Sequence, residues 1–138
     1  MIKYQSVNID FRLDFKKLAK WIKKVIILEG YEPGELFYIF CDDSYLLEIN
    51  NKFLQHNTYT DIITFPSSSN QRIISGEIYI SIQRVRENAN LLSTDFEDEF
   101  ARVLIHGVLH MMGYDDHSDE QRKIMRSKED KSLSLRLL

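Results

Sequence analysis

The pattern of hydrophobic and polar positions predicts a chain that alternates between short strands and amphipathic helices. Residues 2–7 alternate weakly and predict a strand, whereas residues 35–42 are nearly all apolar and predict a buried strand. Between them, apolar residues recur at three- and four-residue steps over about 12–29, which is the spacing of one helix face. Gly30 is expected to end this helix, and Pro33-Gly34 is expected to form a turn.

The second half of the chain continues the same alternation. We predict a helix over about 43–54, strands at 61–65 and about 73–81, and a helix that Ser81 caps and that runs to about residue 92. This order of elements predicts one α+β domain over residues 1–138, with a mixed sheet of roughly four strands covered by helices.

Two capping-box sequences mark the starts of the last two helices. Thr94 is followed three residues later by Glu97, and Ser118 is followed three residues later by Gln121. In such a box, each of the two side chains accepts a hydrogen bond from the backbone amide of the other residue. The boxes therefore predict one helix through residues 106–112 and a terminal helix that begins directly after His117.

Three of the four histidines in the chain fall between residues 106 and 117. His106 and His110 are four residues apart, so they share one face of the predicted helix. Gly113 suits the left-handed residue that ends a helix, and a chain that turns there brings a third donor close to the pair. Three protein ligands and one open position form a catalytic zinc site, so we predict one zinc ion per chain.

His117 is the predicted third donor, because it follows the turn at Gly113 and would complete a set of three imidazoles.

The helix differs from that of zinc proteases at one informative position. Those enzymes carry H-E-x-x-H, in which the glutamate is the general base. The corresponding residue here is Gly107. The spacing of the histidines is therefore protease-like, while peptidase chemistry is not expected.

Composition and charge narrow the possible classes of protein. The chain has 138 residues, 43% of them hydrophobic and 28% charged, with a net charge of −3, which is an ordinary globular composition. It is not the basic profile of a protein that holds nucleic acid by bulk charge, so any RNA contact must use a local patch. Cys41 is the only cysteine, which excludes an internal disulfide and suits a cytoplasmic protein. We expect no signal peptide, no membrane span and no dinucleotide cofactor.

Three segments together resemble the YbeY family of endoribonucleases. The stretch H-G-V-L-H-M-M-G-Y-D-D-H from His106 resembles the family's metal-binding signature. Residues 60–66, T-D-I-I-T-F-P, resemble its T-D-V-L-S-F-P segment, and residues 76–81, G-E-I-Y-I-S, resemble its G-D-I-x-I-S segment. Order and spacing match from about residue 35 to about residue 125.

The resemblance implies a function as well as a fold. The implied fold is a mixed sheet against which the helix with His106 and His110 packs. The implied activity is that of a single-strand-specific, zinc-dependent endoribonuclease. The implied role is 16S rRNA 3′-end maturation and ribosome quality control in the cytoplasm. Ribosomal RNA and the small ribosomal subunit are the implied partners.

Two positions depart from the family pattern. The third family histidine lies six residues after the second, a position that is Asp116 here, with His117 one residue later. Asp116 is therefore an alternative third ligand, because a carboxylate oxygen also binds zinc. A set of three imidazoles fits the family, so we favour His117. The family also commonly carries an arginine, proposed to act in RNA cleavage, where this chain has Leu54. The second difference bears on the strength and mode of the nuclease activity.

Further candidates surround the predicted metal site. Asp61 and Asp115 are candidates to orient the ligating imidazoles. Lys52, His56 and Arg84 are candidate RNA contacts. A zinc ion would polarise a phosphate oxygen or lower the pKa of its bound water, and we assign no residue as the general base.

Two other functions remain open from the sequence. The chain could be a non-catalytic ribosome- or RNA-binding maturation factor with a structural zinc, which the absence of an arginine at Leu54 favours. It could also be a small metallohydrolase with a substrate other than RNA, which the low basic charge favours.

Overall fold

The computed structural model describes residues 1–54 and 60–136. The strands are β1 (Ile2–Ser6), β2 (Glu32–Cys41), β3 (Ile62–Pro66) and β4 (Ile73–Ser81). The helices are α1 (Phe15–Leu28), α2 (Asp43–Leu54), α3 (Ile82–Leu91), α4 (Phe96–Met111) and α5 (Asp119–Ser134). None of the helices in the described ranges has both the length and the apolar character needed to cross a membrane.

The four strands form one mixed sheet in the order β1-β2-β4-β3. β1, β2 and β4 are parallel to one another, and β3 runs antiparallel to β4. The parallel neighbours are joined through helices, as parallel connections require, whereas a short loop suffices between β3 and β4. The predicted α+β fold with a mixed four-stranded sheet is confirmed.

The predicted turn at Pro33-Gly34 is wrong, because both residues lie inside β2. The strand has a register shift between Pro33 and Leu36 in its pairing with β4. A Cβ at Gly34 would lie 2.0 Å from Ser75 Oγ, so the two strands approach too closely here for a larger residue. The glycine and proline therefore mark a bulge within a strand and not its start.

The sheet separates two hydrophobic cores. The larger core combines one face of β2 and β4 with the apolar sides of α1 and α4, and it includes Tyr38 and Phe40. The smaller core lies under α2 and contains Cys41, Leu46 and Ile63. Neighbouring strand residues divide between the two cores because successive side chains point to opposite faces of a sheet.

The N-terminus of α4 differs from the prediction by one residue. Asp95, not Thr94, is the N-cap, and its side chain makes no capping hydrogen bond. The amide of Thr94 instead donates to the carbonyl of Ala89, 2.9 Å away, and so closes the end of α3. The predicted capping box at Thr94 is therefore wrong, because Thr94 belongs to the C-terminal end of α3 and not to the start of α4.

α4 packs directly against the sheet and is held there by a polar contact as well as by apolar ones. The hydroxyl of Tyr38, buried in β2, donates to the carbonyl of Leu104 at 2.9 Å. A Cβ at Gly107 would lie 3.0 Å from Ile62 Cδ1 and 3.1 Å from Ile78 Cγ2. Gly107 thus lets the helix approach β3 and β4 closely, and the position that carries the protease glutamate faces the sheet.

Candidate metal centre

The last two turns of α4 present His106 and His110 side by side. Their ring centroids are 4.9 Å apart, as the four-residue spacing predicts. Both rings are partly buried, because they lie on a helix whose neighbouring residues Val108 and Leu109 are buried in the core. α4 therefore fixes the relative position of the first two donors.

The turn after α4 forms at Gly113, as predicted. Gly113 has φ +103°, and its amide donates to the carbonyl of His110 at 3.0 Å. The next amide, that of Tyr114, donates to the carbonyl of Leu109 at 3.1 Å. These bonds satisfy carbonyls that the helix end would leave unpaired, and they reverse the chain towards the histidine face.

The start of α5 fixes the other end of this loop. Ser118 and Gln121 form the predicted capping box, in which each side chain accepts from the backbone amide of the other residue. Gln121 Oε1 also accepts from the amide of His117 at 3.0 Å. Arg122 Nη1 donates to the carbonyls of Asp116 and His117 at 3.2 and 3.1 Å. The loop between Gly113 and Ser118 is thus held at both ends.

This loop brings the carboxylate of Asp116 between the two imidazoles. Asp116 Oδ2 lies 3.5 Å from His106 Nε2, and Asp116 Oδ1 lies 3.6 Å from His110 Nε2. Zinc bonds of about 2.0–2.1 Å at a tetrahedral angle place two donor atoms about 3.4 Å apart. His106, His110 and Asp116 form a group with donor atoms that lie within 4.8 Å of one another. Two nitrogens and one carboxylate oxygen suit a zinc ion in both distance and chemistry.

The structure does not bring His117 into this group. Its side chain is 82% exposed, and its Nε2 lies 4.0 Å from Asp115 Oδ1. The backbone of His117 instead belongs to the cap of α5. The identity of the third ligand stays a prediction, and the geometry favours Asp116 over the histidine that we preferred from sequence.

Asp115 lies beside the outer nitrogen of one ligand. Its Oδ1 is 3.7 Å from His110 Nδ1, on the side of the ring away from Asp116. This position suits the orienting role that we predicted for Asp115, which remains a prediction.

Sequence reasoning missed Glu129, which contacts the other histidine. Glu129 Oε2 lies 2.7 Å from His106 Nδ1, and Glu129 Oε1 accepts from Arg102 Nη1 at 2.8 Å. Burial disfavours the charged form of both groups. The contact between them nevertheless raises the pKa of His106, and together with Arg102 it lowers the pKa of Glu129. A sequence signal existed, because Glu129 lies four residues after the buried Met125 and three before the buried Ser132, on the inner face of α5.

The three donors open onto a cleft of about 460 Å³. α2, β3, α4 and the loop before α5 surround it. Its lining residues are Asn50, Leu54, Thr60, Asp61, Ile62, Ile63, Thr64, His106, His110 and Asp116. Leu54, at the position where the resemblance implies an arginine, makes this part of the wall apolar.

Asp61 is a second carboxylate in the cleft, outside the group of three donors. Burial raises its pKa, while the charges of His106 and Arg84 act in the opposite direction. Its backbone carbonyl accepts from the amide of Ser81 at 3.0 Å, which anchors the start of β3 to the end of β4. Asp61 thus lines the same cleft as the three donors, and its predicted role in orienting an imidazole remains a prediction.

The three candidate RNA contacts differ in their surroundings. Lys52 is exposed in the last turn of α2, close in sequence to the cleft residue Leu54. Arg84 is paired with Asp43 and Glu87, each at 2.9 Å. His56 lies outside the described residues, so its predicted role is not tested.

Comparisons with known proteins agree with this fold. The family model described as Endoribonuclease YbeY matches residues 2–135. A protein named Endoribonuclease YbeY from Flavobacterium psychrophilum is 48% identical over 134 residues, which cover 94% of this chain and 95% of the relative. A protein of the same name from Bacteroides thetaiotaomicron is 41% identical, with 98% of each chain covered. The solution structure of TM1509 from Thermotoga maritima matches with a TM-score of 0.71 and 27% identity, and the match covers 99% of this chain and 89% of that one.

Proposed function

This chain belongs to the endoribonuclease YbeY family, and on that premise we propose that it is a zinc-dependent endoribonuclease specific for single-stranded RNA. Its proposed role is the maturation of the 16S rRNA 3′ end and ribosome quality control. Its proposed partners are ribosomal RNA and the small ribosomal subunit, in the cytoplasm.

The observation that carries the proposal is the placement of His106, His110 and Asp116 in an open cleft. Three protein donors leave a coordination position for substrate or water, which distinguishes a catalytic zinc site from a closed structural one. A zinc ion held there would stabilise negative charge on a phosphate oxygen and lower the pKa of a water ligand.

Asp61 is the residue of this cleft best suited to proton transfer. It is a partly buried carboxylate that the three-donor group does not use, and burial raises its pKa, so it accepts a proton more readily than an exposed aspartate does. We propose that the Asp61 carboxylate takes a proton from the attacking oxygen. Asp61→Asn would then lower the cleavage rate and leave zinc affinity nearly unchanged.

Features at the end of α2 support a preference for single strands. Phe53 is an exposed aromatic residue next to Leu54, and Lys52 Nζ lies 5.3 Å from the centre of its ring. Unpaired bases stack on aromatic side chains, and a nearby lysine attracts the phosphate backbone. A duplex keeps its bases stacked inside, so it would lose this contact.

The test compares the wild-type chain with His110→Ala on a single-stranded fragment of ribosomal RNA and on the same sequence in a duplex. We expect the wild type to cleave the single strand, and we expect His110→Ala to lose zinc and cleavage together. The two proteins are purified identically, so equal cleavage by both would reveal a contaminating nuclease and contradict the proposal. Cleavage by metal-free wild type would contradict it as well.

One observation favours a second candidate, a non-catalytic RNA-binding maturation factor with a structural zinc. The cleft wall carries Leu54 where the family commonly has an arginine. This candidate predicts RNA binding without cleavage, and a large fall in melting temperature when a chelator removes the ion. If the wild type is inactive and Leu54→Arg cleaves RNA, this second candidate is favoured further. Cleavage of a non-RNA phosphodiester would instead favour the small metallohydrolase.

A further inference from the structure

Glu129 is a buried carboxylate that the proposed reaction leaves without a role. It lies on the inner face of α5 and is 5% exposed. Burying a carboxylate is unfavourable unless its oxygens are paired. Both oxygens are paired here, one with the ring of His106 and the other with the guanidinium of Arg102.

We infer that Glu129 is a positioning residue for the metal site, which holds the ring of His106 with its proton on Nδ1 and its Nε2 lone pair in the cleft. The inference rests on the proposed function, because it concerns a ligand of the proposed metal ion. It assigns to α5, a helix outside the cleft, a part in metal binding.

The direction of the hydrogen bond carries the first step. An ionised carboxylate only accepts hydrogen bonds, so a neutral imidazole 2.7 Å away must carry its hydrogen on the facing nitrogen, Nδ1. The other nitrogen, Nε2, then has a free lone pair. Nε2 is the atom of His106 that lies 3.5 Å from Asp116 Oδ2. Glu129 thus selects the tautomer that can bind a metal together with Asp116.

Arg102 holds this carboxylate in one orientation. Arg102 and His106 lie one turn apart on α4, so their side chains share the face of that helix that is directed towards α5. The guanidinium donates from Nη1 to Glu129 at 2.8 Å and from Nη2 to Asp130 at 2.8 Å. The two bonds fix the guanidinium plane, and the guanidinium in turn fixes the Glu129 oxygen that it contacts.

A purely structural role is the alternative, in which Glu129 only ties α5 to α4. Asp130 offers a matched comparison, because it is the next residue in the chain and binds the same guanidinium. Its side chain is exposed, and none of its contacts among the described residues is with His106. Removing either charge weakens the tie to Arg102, but only Glu129 reaches a metal ligand.

The experiment measures the dissociation constant of Zn²⁺ for the wild type, Glu129→Gln and Asp130→Asn, by competition with a chromogenic chelator and without RNA. Mutation of groups that orient metal-binding histidines costs about 10–100-fold in affinity. We expect a weakening in that range for Glu129→Gln. For Asp130→Asn we expect a change of less than about threefold, since exposed ion pairs contribute little. Equal affinities in all three proteins would overturn the inference, as would equal losses in both variants.

A second measurement can be decided on the wild type alone. Nitrogen-15 chemical shifts of the His106 ring, taken on the metal-free wild type at a pH where the ring is neutral, distinguish the two tautomers. We expect hydrogen on Nδ1, and in Glu129→Gln we expect a mixture, because an amide can both donate and accept. Hydrogen on Nε2 in the wild type would overturn the inference even if Glu129→Gln fails to fold.

These readouts separate the inference from the proposed function. If the wild type binds Zn²⁺ with the expected tautomer and Glu129→Gln weakens the binding, the inference holds even when no RNA is cleaved. The nuclease proposal alone then fails. If the wild type binds no Zn²⁺, both the proposed zinc site and the role of Glu129 are overturned.

Discussion

The choice between Asp116 and His117 as third ligand gives the sharpest prediction. The two residues are adjacent, yet only the carboxylate of Asp116 lies between the two imidazoles, while the ring of His117 is 82% exposed. We therefore compare Asp116→Asn with His117→Asn. The first substitution removes a charged oxygen donor, and the second removes an imidazole while the backbone amide of residue 117 stays in the cap of α5.

The size of the effect follows from the loss of one donor in three. Loss of a direct ligand should cost at least as much as the 10–100-fold that loss of a supporting contact costs, so we take a loss of about 100-fold. At a free Zn²⁺ concentration of about 100 times the wild-type dissociation constant, the ion stabilises the folded protein by about 2.7 kcal/mol. A ligand bound about 100-fold more weakly stabilises it by only about 0.4 kcal/mol at the same concentration.

Scanning calorimetry in zinc-buffered and chelated solutions measures this difference. For a chain of this length, 1 kcal/mol shifts the melting temperature by about 3–5 °C. We expect Zn²⁺ to raise the melting temperature of the wild type and of His117→Asn by about 8–13 °C. The rise for Asp116→Asn should be about 1–2 °C. Each rise is measured against the same protein without metal, which removes any effect of the substitution on the metal-free fold.

The opposite pattern would refute the reasoning from geometry. If His117→Asn abolishes the rise and Asp116→Asn keeps it, the loop must rearrange around the ion, and the set of three imidazoles preferred from sequence is correct. Loss of the rise in both variants would mean that both residues bind the ion.

Three further predictions concern the fold around the site. Gly107→Glu should lower the free energy of unfolding by more than about 3 kcal/mol in urea titrations and should create no peptidase, because the new carboxylate would be buried unpaired against Ile78; a stable variant would contradict the close packing. Burial raises the pKa of Glu29, but the hydrogen bonds from Lys128 and Tyr114 and the charges of Lys128 and Lys131 together outweigh it, so the pKa lies below its ordinary value of 4.5. Its contribution to stability is therefore present above pH 4.5 and is lost as the pH falls through the lowered pKa, so the stability difference between the wild type and Glu29→Gln should shrink as the solution is acidified below pH 4.5. A difference that grows on acidification would contradict this sign. Burial raises the pKa of Cys41 to about 12, so iodoacetamide should label the thiol at pH 8 only after unfolding; rapid labelling of the folded protein would contradict its burial.

Local sequence signals predicted most of the elements. The apolar periodicity located the strands and helices to within a few residues, and the signals at Gly113 and Ser118 predicted the two ends of the loop that carries the third donor. These signals work because the interactions behind them lie within a few residues of each other. The prediction failed at Thr94 and at Pro33-Gly34, where a contact with α3 or β4 outweighed the local preference.

The same contrast between local signals and contacts with distant segments applies to the metal site. The spacing of His106 and His110 by itself determined that the two rings share one helix face. The sequence could not decide between Asp116 and His117, which are neighbours in one loop. Which of the two side chains faces the histidines depends on how the hydrogen bonds at Gly113 and Ser118 hold the two ends of that loop. Helical spacing could place Glu129 on the inner face of the last helix, but it could not indicate the contact with His106, which is 23 residues away along the chain.

The sequence by itself thus determined the family, the class of fold and the helix that carries two candidate metal donors, because these depend on periodicity and on short motifs. Only the tertiary structure decided which loop side chain faces those donors and which buried carboxylate on α5 supports one of them. The physical reason is that both depend on how α5 packs against α4, and contacts between distant segments leave little trace in the local order of residues.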